Sequence, residues 1–536
     1  MPGWLARAWI ARAGTGAVVA VGVVLSSWPA AAASSAQIAV AGNPLAGGSR
    51  APAAWAGFGG NARHTADVSV PLQPFNRIRW RVKVDLDPVL IDGALPIHYG
   101  SPMITSANTV LVPTRVSPKA GFRVVAYSGA SGARRWSLDT DYQPPAFPNG
   151  FTPPLPAVLA PGNVLAVAGA GGTVLMRGQA DRTSGAVVRR VFYGAAQWNA
   201  HRSVYDKAVQ VATPLTAGPD GSVYFGFTVT GATPAHLSSG IARIDPDGHA
   251  IWTTAAAVAD DRTITSVAQN CAPALSPDGR TVYITVTSPY TSITNPRHGI
   301  LVGLDATTLR PRFHTALTDP ATGRPAQIST ATSASPTVGP DGDVYYGVIE
   351  NPFPDHDGRG WLLHYNATLT RTKIPGSFGW DNTVSVVPAR AVPGYHGTSP
   401  YLLVSKYNNY LDVGPHGDGH NQIAVLDPRS SQTDPYARTR VMRAVQTILS
   451  PVHVPGEPAG AVYEWCINSA AVDPAADSVI ANSEDGVLYR WDLARHSLAE
   501  KIRLNPPRPE AYTPTVIGPN GTVYAINNAT LYAIGR

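Results

Sequence analysis

Ser335 to Gly347, reading SPTVGPDGDVYYG, encodes a short strand, a tight turn and a second strand, and variants of it return along the whole chain. Pro336 opens a run whose apolar positions continue through Val338. Gly-Pro-Asp-Gly then reverses the chain at 339 to 342, and Val344, Tyr345 and Tyr346 supply strand-forming bulk. A repeat of roughly 40 to 60 residues holding several strands predicts an all-β propeller of radially stacked blades. Blade-opening pairs stand at Ser101-Pro102, Thr152-Pro153, Thr213-Pro214, Ala272-Pro273, Ser335-Pro336 and Thr513-Pro514, with degenerate forms at Val384 to Pro388 and Asn468 to Pro474. A third strand follows each, from FRVVAYSG at 122 to ATLYAIG at 529. The expectation is eight blades, with seven as the fallback because two openings are degenerate.

The last blade runs out at Arg536 after three strands. Its missing strand is most simply Arg77 to Val84, RIRWRVKV, so residues 55–536 read as a single domain whose two chain ends share one blade. Composition agrees: charged residues are 14% of the 536, while 51 Gly and 49 Pro describe strands and turns rather than long helices.

Ahead of the repeats, Arg7 and Arg12 precede an apolar stretch from Ala17 to Leu25, then Trp28, Pro29 and the small residues Ala30 to Ala33. This reads as an export signal over 1–33, followed by a flexible Gly- and Ala-rich lead over 34–54. The apolar run is shorter than the ~20 residues of a membrane helix, and no second candidate follows, so the mature chain is expected to be secreted or extracytoplasmic, without a transmembrane segment, and a monomer. The net charge of +6 suits an acidic glycan or an anionic envelope surface. No Lys/Arg-rich run carries interleaved aromatics, which excludes nucleic acid as a partner class.

Two stretches carry a family resemblance. Trp55 to Ala66, WAGFGGNARHTA, with the alternating strand after it, resembles the start of quinoprotein-like propellers, the family of pyrroloquinoline-quinone (PQQ) dehydrogenases and of a cofactor-free outer-membrane assembly propeller. Ala126 to Trp136, AYSGASGARRW, resembles the family's tryptophan-docking motif, in which an outer-strand Trp packs on the neighbouring blade.

Connections from first to second strand are tight, as in GPDG at 218 to 221 and GPNG at 518 to 521. The long insertions fall on the other face, where the channel mouth is the natural pocket. Residues just ahead of the innermost strands should ring it. Asp381, Lys406, Glu464, His98 and Tyr512 are candidates for acid/base chemistry there, and equally for hydrogen-bonded loop anchors. Asp412, Asp418 and Asn421 lie in a Gly-rich loop, LDVGPHGDGHN, that offers a weak Ca²⁺ pattern or a plain polar turn. Cys271 and Cys466 share this face, and both a disulfide between them and two buried thiols stand open.

Three functions fit. One is a binding scaffold without cofactor, presenting the loop face to a protein or an envelope glycan. The second, implied by the resemblance, is a PQQ- and calcium-dependent dehydrogenase. There the quinone stacks on a Trp and on a ring of adjacent cysteines, Glu and Asn hold Ca²⁺, and an Asp is the base. Trp465, Glu464, Asn468 and Asp381 stand in the corresponding region, but the adjacent Cys pair is missing. The third is a polysaccharide lyase or hydrolase acting on acidic glycans.

Overall fold

The computed structural model describes residues 54–117, 121–146, 154–288, 299–328 and 334–536. The expected export signal, nearly all of the lead and the pair Thr152-Pro153 lie outside the described residues. Eight antiparallel sheets form an eight-bladed propeller. Blade 1 shows the pattern: Met103–Ile104 innermost, then Thr109–Ser117, Gly121–Ser128 and Arg134–Thr140 outermost. The degenerate openings do begin blades, with Ser385–Pro388 innermost in blade 6 and Ala471–Asp473 in blade 7.

Position in the blade sets burial. Middle strands lie between neighbouring blades on both faces, so Thr281–Thr287 in blade 4 is buried at every position. Outer strands have one wet face, and Ser497–Arg503 in blade 7 alternates between exposed and half-buried positions. Blade 5 keeps three regular strands, ending in Trp361–Tyr365. Its outer place is taken by single bridges from Leu362 to Gly376 and from Tyr365 to Thr372, where Pro375 has no N–H to offer a ladder.

Blade 8 is built from both chain ends. Thr515–Ile517, Val523–Asn527 and Thr530–Gly535 supply three strands, and Arg77–Lys83 pairs antiparallel with the last of them from Arg77 against Gly535 to Lys83 against Thr530. Tryptophans tie blades together. Trp136 on the outer strand of blade 1 donates to Ala180 O at 2.9 Å, and the Arg177 guanidinium of blade 2 lies 3.7 Å over its ring. Trp80 on the closing strand donates to Gly129 O of blade 1 at 3.1 Å.

The segment 54–73 precedes the closing strand Arg77–Lys83. It circles the channel as a belt on the free edges of the innermost strands. Its carbonyls accept from Leu159 N at 2.7 Å in blade 2, Leu275 N at 2.7 Å in blade 4, Val338 N at 2.9 Å in blade 5, Val386 N at 2.9 Å in blade 6 and Val472 N at 2.8 Å in blade 7. Trp55 bridges Ile104 in blade 1, and Gln73 N donates to Gly521 O in blade 8. A propeller's innermost strands each leave one edge unpaired toward the channel, and the belt bonds to that edge in blades 1, 2, 4, 5, 6 and 7. Gly59 permits its tightest turn, with φ of +60° and a Cβ position only 2.6 Å from His64 Cα.

Candidate functional site

The mouth lies at the opposite end of the channel, where chain enters the innermost strands. Asp381 precedes blade 6 and Lys406 ends the blade 6 strand Tyr401–Lys406. Their side chains form an ion pair, only 5% and 4% exposed. The surroundings fix both partners. Asn468 Nδ2 donates to Asp381 O at 2.7 Å, Lys406 N donates to Asn382 Oδ1 at 3.2 Å, and the Phe378 ring sits 5.7 Å from the ammonium. Asp381 has φ of 44° and Tyr512 of 30°, a left-handed backbone that side-chain-bearing residues adopt at some strain.

His98 stacks on Tyr512 with ring centroids 4.2 Å apart and planes at 25°. Burial pushes the His98 imidazole down to about 3, so it is neutral at ordinary pH. His98, Tyr512 and Asn468 line the channel cavity, which holds about 70 Å³ and is bounded at its belt end by Trp55 and Phe58. That volume suits ordered water.

Beside this cluster stands an acidic one. Glu484 N donates to Glu464 O at 3.0 Å, and Glu510 N donates to Glu484 Oε1 at 3.3 Å. Burial, then the charge of Glu464, holds Glu484 well above the usual carboxylate range. Burial also raises Glu510 to about 8, against the hydrogen bond that its carboxylate accepts from Asn528 N. The mouth thus carries protonatable acids at neutral pH.

The remaining sequence candidates do not converge on one centre. Trp465 is buried in the core between blades 6 and 7, edge-on to Tyr489 at 5.6 Å, and is not among the residues lining the channel cavity. Asp418 is engaged with Asn409 Nδ2 at 2.7 Å and His420 N at 2.9 Å, while Asn421 Nδ2 donates to Val462 O at 2.8 Å. Asp412 N donates to Gly417 O at 3.2 Å within the same loop. Among the described residues no three His, Cys, Asp or Glu side chains come together as a metal-holding group. The two cysteines are free and buried. Cys271 lies beside Thr285 and Tyr346, its thiol pushed up to about 11 by burial, whereas Cys466 donates to Glu510 O. Both are protonated thiols of low reactivity. The residues that the resemblance assigns to a quinone and its calcium therefore do not form a cradle: the indole is packed away, the thiol has no neighbour of its kind, and the carboxylate of Asp381 is neutralised by Lys406.

One constellation escapes sequence reading. Behind the mouth, Asp434 Oδ1 lies 3.1 Å from His356 Nε2, Ser377 Oγ donates to Asp434 Oδ2, and Ser377 Oγ lies 3.4 Å from the same Nε2. A hydrolytic relay needs its acid and its nucleophile on different ring nitrogens. Here both address Nε2, and His356 lies flat on Trp361 at 3.9 Å with all three polar residues buried. The cluster is a structural tie between the 348–360 loop and blade 6.

No protein-family model matches the chain, and no curated protein matches it in sequence. Solved structures do match in fold. A europium-containing methanol dehydrogenase superposes with a TM-score of 0.53 at 9% identity, covering 88% of this chain and 89% of that one. The quinohemoprotein alcohol dehydrogenase from Comamonas testosteroni gives 0.52 at 10% identity, over 91% and 82%. BamB from Moraxella catarrhalis gives 0.44 at 12%, over 86% and 97%.

Proposed function

We propose that this protein is an exported binding propeller that works without a bound quinone and receives its ligand, a protein or an envelope glycan, on the loop-rich mouth face. The buried Asp381 and Lys406 pair carries this reading. A base must be available to its substrate, and this carboxylate is buried and held against an ammonium, an arrangement that favours its ionised, paired form. The packing of Trp465 into the blade core supports the same reading. The dehydrogenase alternative has the fold behind it, and at 9% and 10% identity fold does not carry activity. The hydrolase alternative lacks a pair of carboxylates on the channel cavity, whose described lining includes no Asp or Glu, and the lysine that a lyase would use, Lys406, is buried against Asp381.

The test is the melting temperature of the full chain with and without PQQ plus Ca²⁺, alongside dye reduction with alcohols as donors. Binding at a hundred times Kd would add about 2.7 kcal/mol. The expected result is no shift and no dye reduction. A rise that requires both additives overturns the reading in favour of the dehydrogenase.

A further inference from the structure

Large apolar side chains on the surface of this chain gather in one loop. Among the described residues seven are exposed, and four of them, Leu86, Val89, Leu90 and Ile91, fall in one stretch of six residues. Leu86 is 66% exposed and Leu90 48%. Single exposed apolar residues are ordinary, whereas a contiguous group marks an interaction site. The stretch belongs to the connection from the closing strand Arg77–Lys83 to Met103–Ile104, on the mouth face at the rim of blade 8.

The loop is built to hold these side chains out. Ile91 and Ala94 exchange backbone hydrogen bonds of 2.9 Å across Asp92 and Gly93, whose φ of 49° and 82° give the tight primed turn of a hairpin. Nothing lies within 4 Å of a Cβ position at Gly93, so the turn stands clear of the protein. Its base is pinned. Arg115 Nη2 donates to Asp87 O at 3.0 Å, Arg508 Nη1 donates to Gly93 O at 2.8 Å, and Leu95 N donates to Pro509 O at 3.0 Å. Cations surround it. Arg77, Arg81 and Lys83 are exposed along the outer strand, and none of them forms an ion pair among the described residues. Lys83 stands three residues before Leu86, within about 10 Å along the chain. Asp87 and Asp92 are the exposed acids of the loop, so four cations, Arg508 included, stand against two carboxylates, the buried pair of Arg115 with Asp85 cancelling.

A stable protein interface, with a partner or with a second copy, takes about 800 Å² and roughly 20–30 residues from each side. Six residues on a projecting turn do not supply that. A lipid surface asks for less. It needs no matching shape, only apolar side chains that reach past the headgroups and cations that meet the headgroup charge, and the two signals hold together where either alone does not. We propose that the 86–93 hairpin docks this protein on an anionic lipid bilayer, with Leu86, Val89, Leu90 and Ile91 at the acyl boundary and Arg81, Lys83 and Arg508 among the headgroups. Asp87 and Asp92 keep the entry at that interface. Docking there is independent of what the mouth receives.

The full chain with Leu90→Cys, carrying an environment-sensitive dye, tests it, since Cys271 and Cys466 are buried. Val187→Cys, at an exposed valine on the outer strand of blade 2, is the control. Each is mixed with vesicles of phosphatidylcholine alone or with about a third phosphatidylglycerol. The expected result is blue-shifted emission at position 90, at anionic lipid concentrations at least about tenfold below those needed with neutral lipid, and none at position 187. Arg81→Glu with Lys83→Glu, both at exposed positions, should raise the lipid requirement by about tenfold or more. No shift at 90, an equal shift at 187, equal response to both lipids, or an unchanged requirement in the charge variant overturns the proposal. A shift that grows with protein concentration in the absence of lipid also overturns it and assigns the hairpin to a second copy. The apolar stretch from Ala17 to Leu25 is present in every sample, so vesicle binding through it favours neither dye. None of these outcomes bears on the quinone test, so the two readings fail separately.

Discussion

Lys406 and Asp381 face each other where water scarcely reaches, and the consequence is asymmetric. Removing one partner leaves the other charged and buried, which costs about 3–5 kcal/mol, whereas replacing both by neutral groups of similar volume costs far less. Lys406→Met alone should lower stability by that amount in chemical denaturation, and Lys406→Met with Asp381→Asn should recover most of it. Additive losses would show that the pair is not the unit the geometry describes. The titrating residues give a pH profile. His98 and His64 are lowered by burial to about 3 and about 4, so below the unfolded value of 6.5 the unfolded chain binds more protons and stability falls with pH. Burial raises Glu510 to about 8 and Glu350 to about 7, so the folded chain holds protons that the unfolded chain has released. Their contribution is full below about pH 4.5 and is lost as pH rises toward 7 to 8, at up to ~1.4 kcal/mol per pH unit per group. Between pH 6.5 and 8 the melting temperature should therefore fall, and Glu510→Gln should flatten that fall. An unchanged slope in the variant would assign the effect elsewhere.

The belt is the element whose role is most specific to this chain. The carbonyls of Trp55, Ala56, Ala62, Arg63, Thr65 and Ala66 each accept from a different blade, so the belt couples inner strands that otherwise touch only their neighbours. Gly59 and Gly93 both have positive φ, and an alanine at either incurs the left-handed penalty of roughly 1–2 kcal/mol. Only at Gly59 does the added methyl also meet backbone, at 2.6 Å, while nothing lies within 4 Å of it at Gly93. Gly59→Ala should lower the melting temperature clearly more than Gly93→Ala, and equal shifts would mean that the belt gives way without loss. The docking tryptophan was legible at this scale, because Ala126 to Trp136 carries its turn and its ring in one local stretch. The belt was not. Its residues show neither strand nor helix periodicity, since what they pair with is supplied by the edges of other blades.

At the scale of the molecule, the ring is closed by Arg77–Lys83 against Thr530–Gly535. Deleting the residues after Asn528 removes the partner of the first strand and opens two edges at once. The expected outcome is loss of the single cooperative melt by circular dichroism, with self-association beyond that of the intact chain. A truncated chain that melts as the intact one does would show that closure is dispensable. Blade number and the grouping of the long connections on one face could be read from the chain because each follows from local chemistry. A GPDG turn forces a reversal wherever it stands, and insertions on alternate connections emerge on one side. The mouth residues were also legible as a set, since His98, Asp381, Asn468 and Tyr512 all immediately precede innermost strands. Their pairing was not. That Asp381 takes Lys406, that Trp465 turns into the blade core, that Cys271 and Cys466 stay apart and that Asn421 keeps one oxygen unmatched are all decided by rotamers and by neighbours from other blades. A repeat pattern specifies where a side chain leaves the backbone, and only packing against residues far along the chain specifies what it meets.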